Sequence, residues 1–600
     1  LALATPIAAQ QPRQLTAADY AGAERYLGTN TVPLVTRIGV RPTWLEANRF
    51  WYRTTVPNGY AFYLIDATRR TRADAFDRAR LARGLSAAID SALDASRPPF
   101  SSIEYAKDMR SVTVSARSRR WTCNLQTYAC SAVDTARAAD APMAAPRNSS
   151  VSPDGRKAAF IREYNLWVKD LVTGRETRLT TDGVEDFGYA TDNAGWVHSD
   201  RPVLTWSPDS KQIATFQHDG RGVRDMVMAS TNVGVPRSEI WKYPLPGDSV
   251  IFRISRVIIH LLPDGGGHVL RLQMPPDQHR STVSDHVSCG GEVCDLQWYP
   301  DGSHIGFISS SRDHKQAWMR IANATTGEVR TVLHETSNTQ VGDASLTENL
   351  WRVLPASNEL IWWSQRDNWI HLYLYDLSTG RLKNRITTGD GNVDNVVRVD
   401  ERARTIYFTG MGKEAGRDPY FRHFYRIGFD GRNQTLLTPE NGDHTISMSP
   451  DGRYFVDSYS TPNVPPVTVL RDANGRVVMP LERGDISRLL ATGWRPPTPI
   501  VMKGRDGQTD IHGLMYTPSN LDSTKKYPIV NHIYPGPQSG SVGTRSFSPA
   551  RGDNQAIAEL GFIVVEIDGM GTPGRSKSFH DTYYGSMGDN TIPDQITGMR

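Results

Sequence analysis

The stretch "LYLYDLSTGRLKNRITT", Leu372–Thr388, holds two runs rich in alternating apolar and polar residues on either side of Thr379-Gly380. A period of two turns one face of each run toward a core, and a glycine between them supplies the left-handed backbone of a tight hairpin. The segment predicts strand, turn, strand. The same unit recurs as "LWVKDLVTGRETRLTT" from Leu166, "MRIANATTGEVRTVL" from Met319, "YRIGFDGRNQTLLT" from Tyr425 and "VLRDANGRVVMPL" from Val469.

A second unit is interleaved with the first. "VSPDGRKAAF", "WSPDSKQIATF", "WYPDGSHIGFI" and "MSPDGRYFVDS" each place a Pro-Asp turn, at Pro153, Pro208, Pro300 and Pro450, ahead of an apolar strand. The turn glycines Gly327, Gly380, Gly431 and Gly475 recur about every fifty residues, the length of a four-stranded propeller blade. One blade cannot bury both of its faces, so several must stack around an axis. Residues 32–480 therefore read as a β-propeller of seven or eight blades, because an irregular sandwich would not keep this period. One segment departs from it. "RADAFDRARLARGLSAAIDSALDAS" sets Leu81, Leu85, Ile89 and Leu93 on one helical face, with Asp74 as N-cap and "RPPF" as terminator. This helix near 74–95 suits the propeller's edge or, alternatively, a partner.

Six hundred residues exceed what one core organises, so at least two domains are expected. A net charge of +4 gives no basis for nucleic-acid or membrane-surface binding, and no apolar run is long enough to predict a membrane span. "LALATPIAAQQ" reads as the end of a signal peptide over 1–9, cleaved near Ala9, which implies a periplasmic or secreted protein. A frayed apolar terminus is the plainer alternative. Cys123 and Cys130 are close in sequence, as are Cys289 and Cys294. In an oxidising compartment each pair can close a short loop, although four cysteines allow three pairings. Neither spacing is that of a zinc knuckle, so no metal site is predicted, and no cofactor is implied.

After the proline-rich joint "GWRPPTP" at 493–499 the rhythm changes. "YPIVNHIY" reads as an apolar strand, "DNQAIAELG" as a short helix closed by Gly561, and "FIVVEIDGMG" as a second buried strand entering a glycine turn. That order is a βαβ unit of a parallel sheet covered on both faces, and "PDQITGMR" opens a further helix. Residues 491–600 therefore look like the first half of such a domain.

Taken in order, the repeats, then "YPIVNHIYPGPQSG", "LGFIVVEIDGMGTPGRS" and "YYGSMGDNTIPDQ", resemble the prolyl oligopeptidase family of serine peptidases, in its dipeptidyl peptidase IV branch. The resemblance implies a β-propeller followed by the N-terminal part of an α/β-hydrolase domain, with the propeller screening a Ser-Asp-His triad. Tyr534 matches the family's oxyanion-hole tyrosine. A phenol at the end of a sheet strand can donate a hydrogen bond to the alkoxide of a tetrahedral intermediate, a contact worth about 3–4 kcal/mol. The competing reading is a tyrosine packed at a strand end.

No Gly-x-Ser-x-Gly elbow occurs in the sequence, so the triad is expected beyond Arg600 and the 600 residues alone are expected to be inactive. The branch also holds its substrate's free amino terminus with adjacent glutamates in the propeller. Here Ser199, Asp200 and Arg201 occupy that place. Asp200 is the candidate substrate-binding carboxylate. Arg201 beside it weakens the attraction for an ammonium, and an ordinary Asp–Arg surface pair competes with that role. The expected protein is an exported serine peptidase that cleaves short peptides through an acyl-enzyme, with a peptide as substrate and a homodimer compatible with it. The alternatives are a non-catalytic propeller scaffold, and an acyl-peptide hydrolase or esterase of the same architecture.

Overall fold

A computed structural model describes residues 14–133, 143–191, 200–231, 233–278, 288–289, 292–342 and 350–600. The signal-peptide expectation for 1–9 lies outside them. Eight antiparallel sheets follow one another along the chain, at 43–74, 104–132, 150–178, 187–278, 296–336, 352–385, 392–436 and 443–483. We number them as blades 1 to 8. Seven have four strands in sequence order. Blade 4 is enlarged, and the separate hairpin Asp225–Ser230 with Arg237–Lys242 projects from it.

The blades stack through their apolar faces. Ile213, Val257 and Ile259 of blade 4 pack with Ala159, Leu166 and Val168 of blade 3. Phe216 and Ile258 on the opposite face of blade 4 meet Ile305 and Phe307 of blade 5. One cluster then runs from Met319 in blade 5 through Trp362 in blade 6 to Phe408 in blade 7. Phe50, Tyr52 and Ile65 of blade 1 close against Val456, Leu470 and Leu481 of blade 8. First and last blades thus meet face to face, without sharing a sheet. A fully buried apolar side chain contributes about 1.5–3 kcal/mol, so this cluster is an adequate seam.

The repeated turns lie on one face of the ring and latch neighbouring blades. The Asp154 N–H donates to Ser210 Oγ (3.1 Å), Gln212 Nε2 to the Gly302 carbonyl (3.1 Å), and Asn48 Nδ2 to Asp451 Oδ2 (2.8 Å). Each first turn of a blade also carries a residue with positive φ, and that of blade 1 carries two, Ala47 and Asn48. The residue is glycine in blades 3, 5 and 8, at Gly155, Gly302 and Gly452, but Ser210, Asn358 and Arg404 fill the same role in blades 4, 6 and 7. The turn motif therefore marked only some of the blades.

The helix spans Arg78–Ile89, and its N-cap is Asp77, whose side chain accepts from the Arg80 N–H. Asp74, the sequence candidate, ends the strand Thr71–Asp74 instead. The helix stops at Asp90 in the left-handed conformation, before the prolines are reached. Leu81 and Leu85 are buried with Trp51, Phe62 and Val112, so the apolar face packs on the propeller edge. The Cys123–Cys130 disulfide joins register partners on adjacent strands of blade 2. Cys294 is also disulfide-bonded, while the side chain of Cys289 lies outside the described residues.

Beyond the propeller lies one mixed sheet in the order Thr498–Lys503, Asp510–Tyr516, Ile563–Ile567, Ile529–Asn531. Ile529–Asn531 and Ile563–Ile567 pair in parallel, joined through the helix Asn554–Glu559, which is the expected βαβ unit. The first two strands pair antiparallel, so the sheet is not parallel throughout. Among the described residues Ile529–Asn531 is the outermost strand of this sheet, and Ile529 is exposed. The helix Ala17–Glu24 packs here as well, with Ala23 and Tyr26 set against Leu489, Trp494 and Ala556. The chain is thus an eight-bladed β-propeller followed by the N-terminal part of an α/β-hydrolase domain.

Candidate active site

Tyr534 follows the strand Ile529–Asn531 at the start of the Tyr-Pro-Gly-Pro turn. Its backbone N–H donates to Ser541 Oγ (3.1 Å), which closes the turn on itself. The ring lies against Gly536, where a Cβ would stand 2.8 Å from Tyr534 Cε1, so only glycine leaves room for this fold-back. Three further bonds fix the loop from outside. Asn590 Nδ2 donates to the Pro535 carbonyl, and His580 Nε2 donates to the Pro537 carbonyl (2.8 Å). The Val542 N–H donates to Asp568 Oδ1 (3.1 Å), in the Asp-Gly-Met-Gly turn. The phenol itself is half-exposed at 49% and makes no hydrogen bond among the described residues. A rigid backbone therefore carries an unengaged donor.

Behind this loop lies a buried ionic centre. Arg545 Nη2 donates to Asp568 Oδ2 (2.6 Å), and Arg545 Nε lies 3.3 Å from Asp418 Oδ2 in the propeller. The guanidinium sits 4.3 Å over the Tyr420 ring. Burial, with Asp568 nearby, pushes the Tyr420 phenol up to about 12. The interface continues around blades 5 to 8. The Ser578 N–H donates to Asn368 Oδ1 (2.8 Å), Lys577 Nζ to the Gln340 carbonyl (2.9 Å), and Asn392 Nδ2 to the Arg575 carbonyl (2.9 Å). Ser546 Oγ donates to Asp443 (2.7 Å). Burial would raise the Asp443 carboxyl, but the Arg422 guanidinium outweighs it and holds the group below its ordinary range.

Asp200 stands elsewhere. It is exposed and lines a cavity of about 870 Å³ between blades 3 and 4, together with Glu163, Glu185, Asp186 and Asp225. Tyr534 is not among the residues of that cavity. Glu163 and Tyr164 form the tight turn between Lys157–Arg162 and Asn165–Asp170, and both have positive φ. This turn joins the second and third strands of blade 3, as Asn368 and Asp418 do in blades 6 and 7, so it lies on the hydrolase-facing side. Lys242 Nζ lies 3.5 Å from Asp186 and 3.6 Å from Asp225. Ser199 falls outside the described residues. Sequence reasoning found Asp200 but missed the other four acids, which are scattered over 163–225. The adjacent pair Glu185-Asp186 was the one available signal. Asn590, His580 and Arg545 were missed too, since their partners are carbonyls or residues distant in sequence.

Comparison with known proteins fits this geometry. The dipeptidyl peptidase IV (DPP IV) N-terminal region family matches residues 106–466, and the prolyl oligopeptidase family matches 549–600. The chain is 24% identical over 472 residues to "Probable dipeptidyl-aminopeptidase B" of Aspergillus clavatus, covering 74% of this chain and 50% of that protein. It is 22% identical over 554 residues to dipeptidyl peptidase 8 of Mus musculus, covering 76% of this chain and 58% of that one. The chain thus spans about half the length of these curated relatives. The crystal structure of Porphyromonas gingivalis dipeptidyl peptidase 4 superposes with a TM-score of 0.66 at 18% identity, over 98% of this chain and 78% of that one. This likeness establishes the shared fold.

Proposed function

The chain belongs to the dipeptidyl peptidase IV branch of the prolyl oligopeptidase family, and from that premise we propose that it is part of a serine peptidase releasing dipeptides from short peptides. In this reading 32–480 is the screening unit and 491–600 opens the catalytic domain. A serine supplied with the rest of that domain attacks the scissile carbonyl, its proton passing to a histidine. The amine leaves, and water hydrolyses the acyl-enzyme. Tyr534 donates its O–H to the oxyanion in both tetrahedral intermediates. The observation that carries this role is the strapped loop with its unengaged phenol. A donor fixed before reaction pays no reorganisation cost as charge develops.

Asp200 supplies a carboxylate for the substrate's cationic end. The Cys123–Cys130 bridge supports export to the periplasm or the cell exterior, because disulfides persist in oxidising compartments. Since the 600 residues hold no Gly-x-Ser-x-Gly elbow, a protein made of them alone should not turn over peptides. The test uses the full-length protein with peptides bearing free or acetylated N-termini and a serine-directed phosphonate. Dipeptide release that needs a free N-terminus and stops after phosphonate labelling is expected. Absence of any hydrolysis by the full-length protein would sink the reading.

A further inference from the structure

The cavity between blades 3 and 4 holds more negative charge than it uses. Of its described lining residues, Glu163, Glu185, Asp186, Asp200 and Asp225 are acidic, and Lys242 is the only lysine or arginine among them. That lysine is committed to Asp186 and Asp225. Glu163 and Glu185 form no ion pair among the described residues. Like charges gathered around one concavity repel, and a cationic guest removes that cost.

Two uncharged groups of the lining are left able to bond a guest. Thr191 is only 6% exposed and lines the cavity, yet its Oγ1 has no hydrogen-bond partner among the described residues. Trp241 Nε1, also in the lining, is likewise buried without an acceptor among the described residues. Native proteins rarely leave such atoms unpaired, and a missing ligand is one accepted reason for it. An indole N–H needs a carbonyl or similar oxygen, which a bare amine lacks and a peptide backbone provides.

The identity of the cation follows from the layout. Among the described residues no three carboxylates or imidazoles converge closely enough to hold a metal ion. A volume of about 870 Å³ exceeds what one ammonium group fills. Tyr164 and Trp241 in the lining are aromatic residues of the kind on which a flat guanidinium stacks. We propose that this cavity is a subsite for a basic side chain of a peptide, read by Glu163 and Glu185 while Trp241 and Thr191 hold its backbone. The proposal rests on the peptidase reading only for the source of the peptide, since it assigns these acids to an arginine or lysine side chain and not to an α-ammonium.

The test is calorimetric titration of the protein with an N-acetylated, C-amidated hexapeptide carrying two arginines. The same peptide with glutamines in their place is the control, in acetylated and free-amine forms. The arginine peptide should bind at least tenfold tighter than the acetylated control. Glu163→Gln with Glu185→Gln should remove about tenfold of its affinity, as expected for two partly exposed ion pairs, and added salt should weaken it further. Equal binding of arginine and glutamine peptides, an unchanged Kd in the double variant, or binding that needs only a free α-amine would each overturn the proposal. Hydrolysis by the full-length protein is read separately. Failure to cleave any peptide with a free N-terminus sinks the peptidase reading and leaves the subsite, whereas cleavage of free-amine peptides that is indifferent to arginine does the reverse.

Discussion

Blades 5 to 8 and blades 3 to 4 face the hydrolase portion differently. On the first side, charged groups are buried or half-buried and matched: Arg545 with Asp568 and Asp418, Arg422 with Asp443, and Lys577 with Asp581. On the second, Glu163 and Glu185 border a cavity and have no cationic partner among the described residues. Blades 5 to 8 keep the four-stranded unit, whereas blade 4 is enlarged and its extra hairpin brings Asp225, Trp241 and Lys242 to the cavity. The difference lies in what the loops and this hairpin carry. Where opposite charges are interlocked and dehydrated, the loops clamp two domains; where one sign is left in excess, they can receive a guest.

The comparison breaks most readily at Arg545. Replacing it by alanine strands the Asp568 carboxylate in a site only 2% exposed, which should cost about 3–5 kcal/mol in denaturant unfolding. A loss under about 1 kcal/mol would mean that the clamp is not stabilised by this pair. Next in size, Tyr534→Phe in the full-length protein should lower kcat about 100- to 1,000-fold with little change in KM, the pattern of a contact made in the transition state. Unchanged kcat would remove Tyr534 from the mechanism.

A pH series sharpens the contrast on the clamped side. Burial, reinforced by Lys413 and Arg385, brings the His371 imidazole from 6.5 down to about 4. Burial, with His444 beside it, does the same to His423. Both are neutral in the fold, so their contribution is fully present above pH 6.5 and is lost as pH falls through about 4. The melting temperature should therefore drop across that window, and less steeply in His371→Asn and His423→Asn variants. An unaltered slope in both would contradict this. The smallest effect belongs to the open side. Glu163→Gln should leave stability within about 0.5 kcal/mol of the parent, because that carboxylate does nothing for the fold. A clear destabilisation would make it structural.

The fold was legible where residues repeat. Gly174, Gly327, Gly380, Gly431 and Gly475 all adopt positive φ, as their hairpins require, and they mark blades 3, 5, 6, 7 and 8. Blades 1 and 2 escaped, because Arg70 and Tyr128 make the equivalent turns and no motif flags them. Asp77 replaced Asp74 as helix cap because Thr71–Asp74 is held in blade 1 by pairing with Tyr63–Asp66. The Tyr-Pro-Gly-Pro turn could be read as a platform for Tyr534. Its straps, Asn590, His580 and Asp568, could not, since nothing local couples them to it.

The sequence by itself determined the blade unit, the change to a βαβ rhythm near residue 493 and the placing of Tyr534 in a Gly- and Pro-rich turn after a strand, because each follows from bonds and periodicities within a few tens of residues. Only the tertiary structure decided the number of blades, the packing of Ala17–Glu24 on the hydrolase portion, the Arg545 clamp and the gathering of five acids at one cavity. Those depend on charges and surfaces far apart in the chain, and local sequence carries no term for the distance between them.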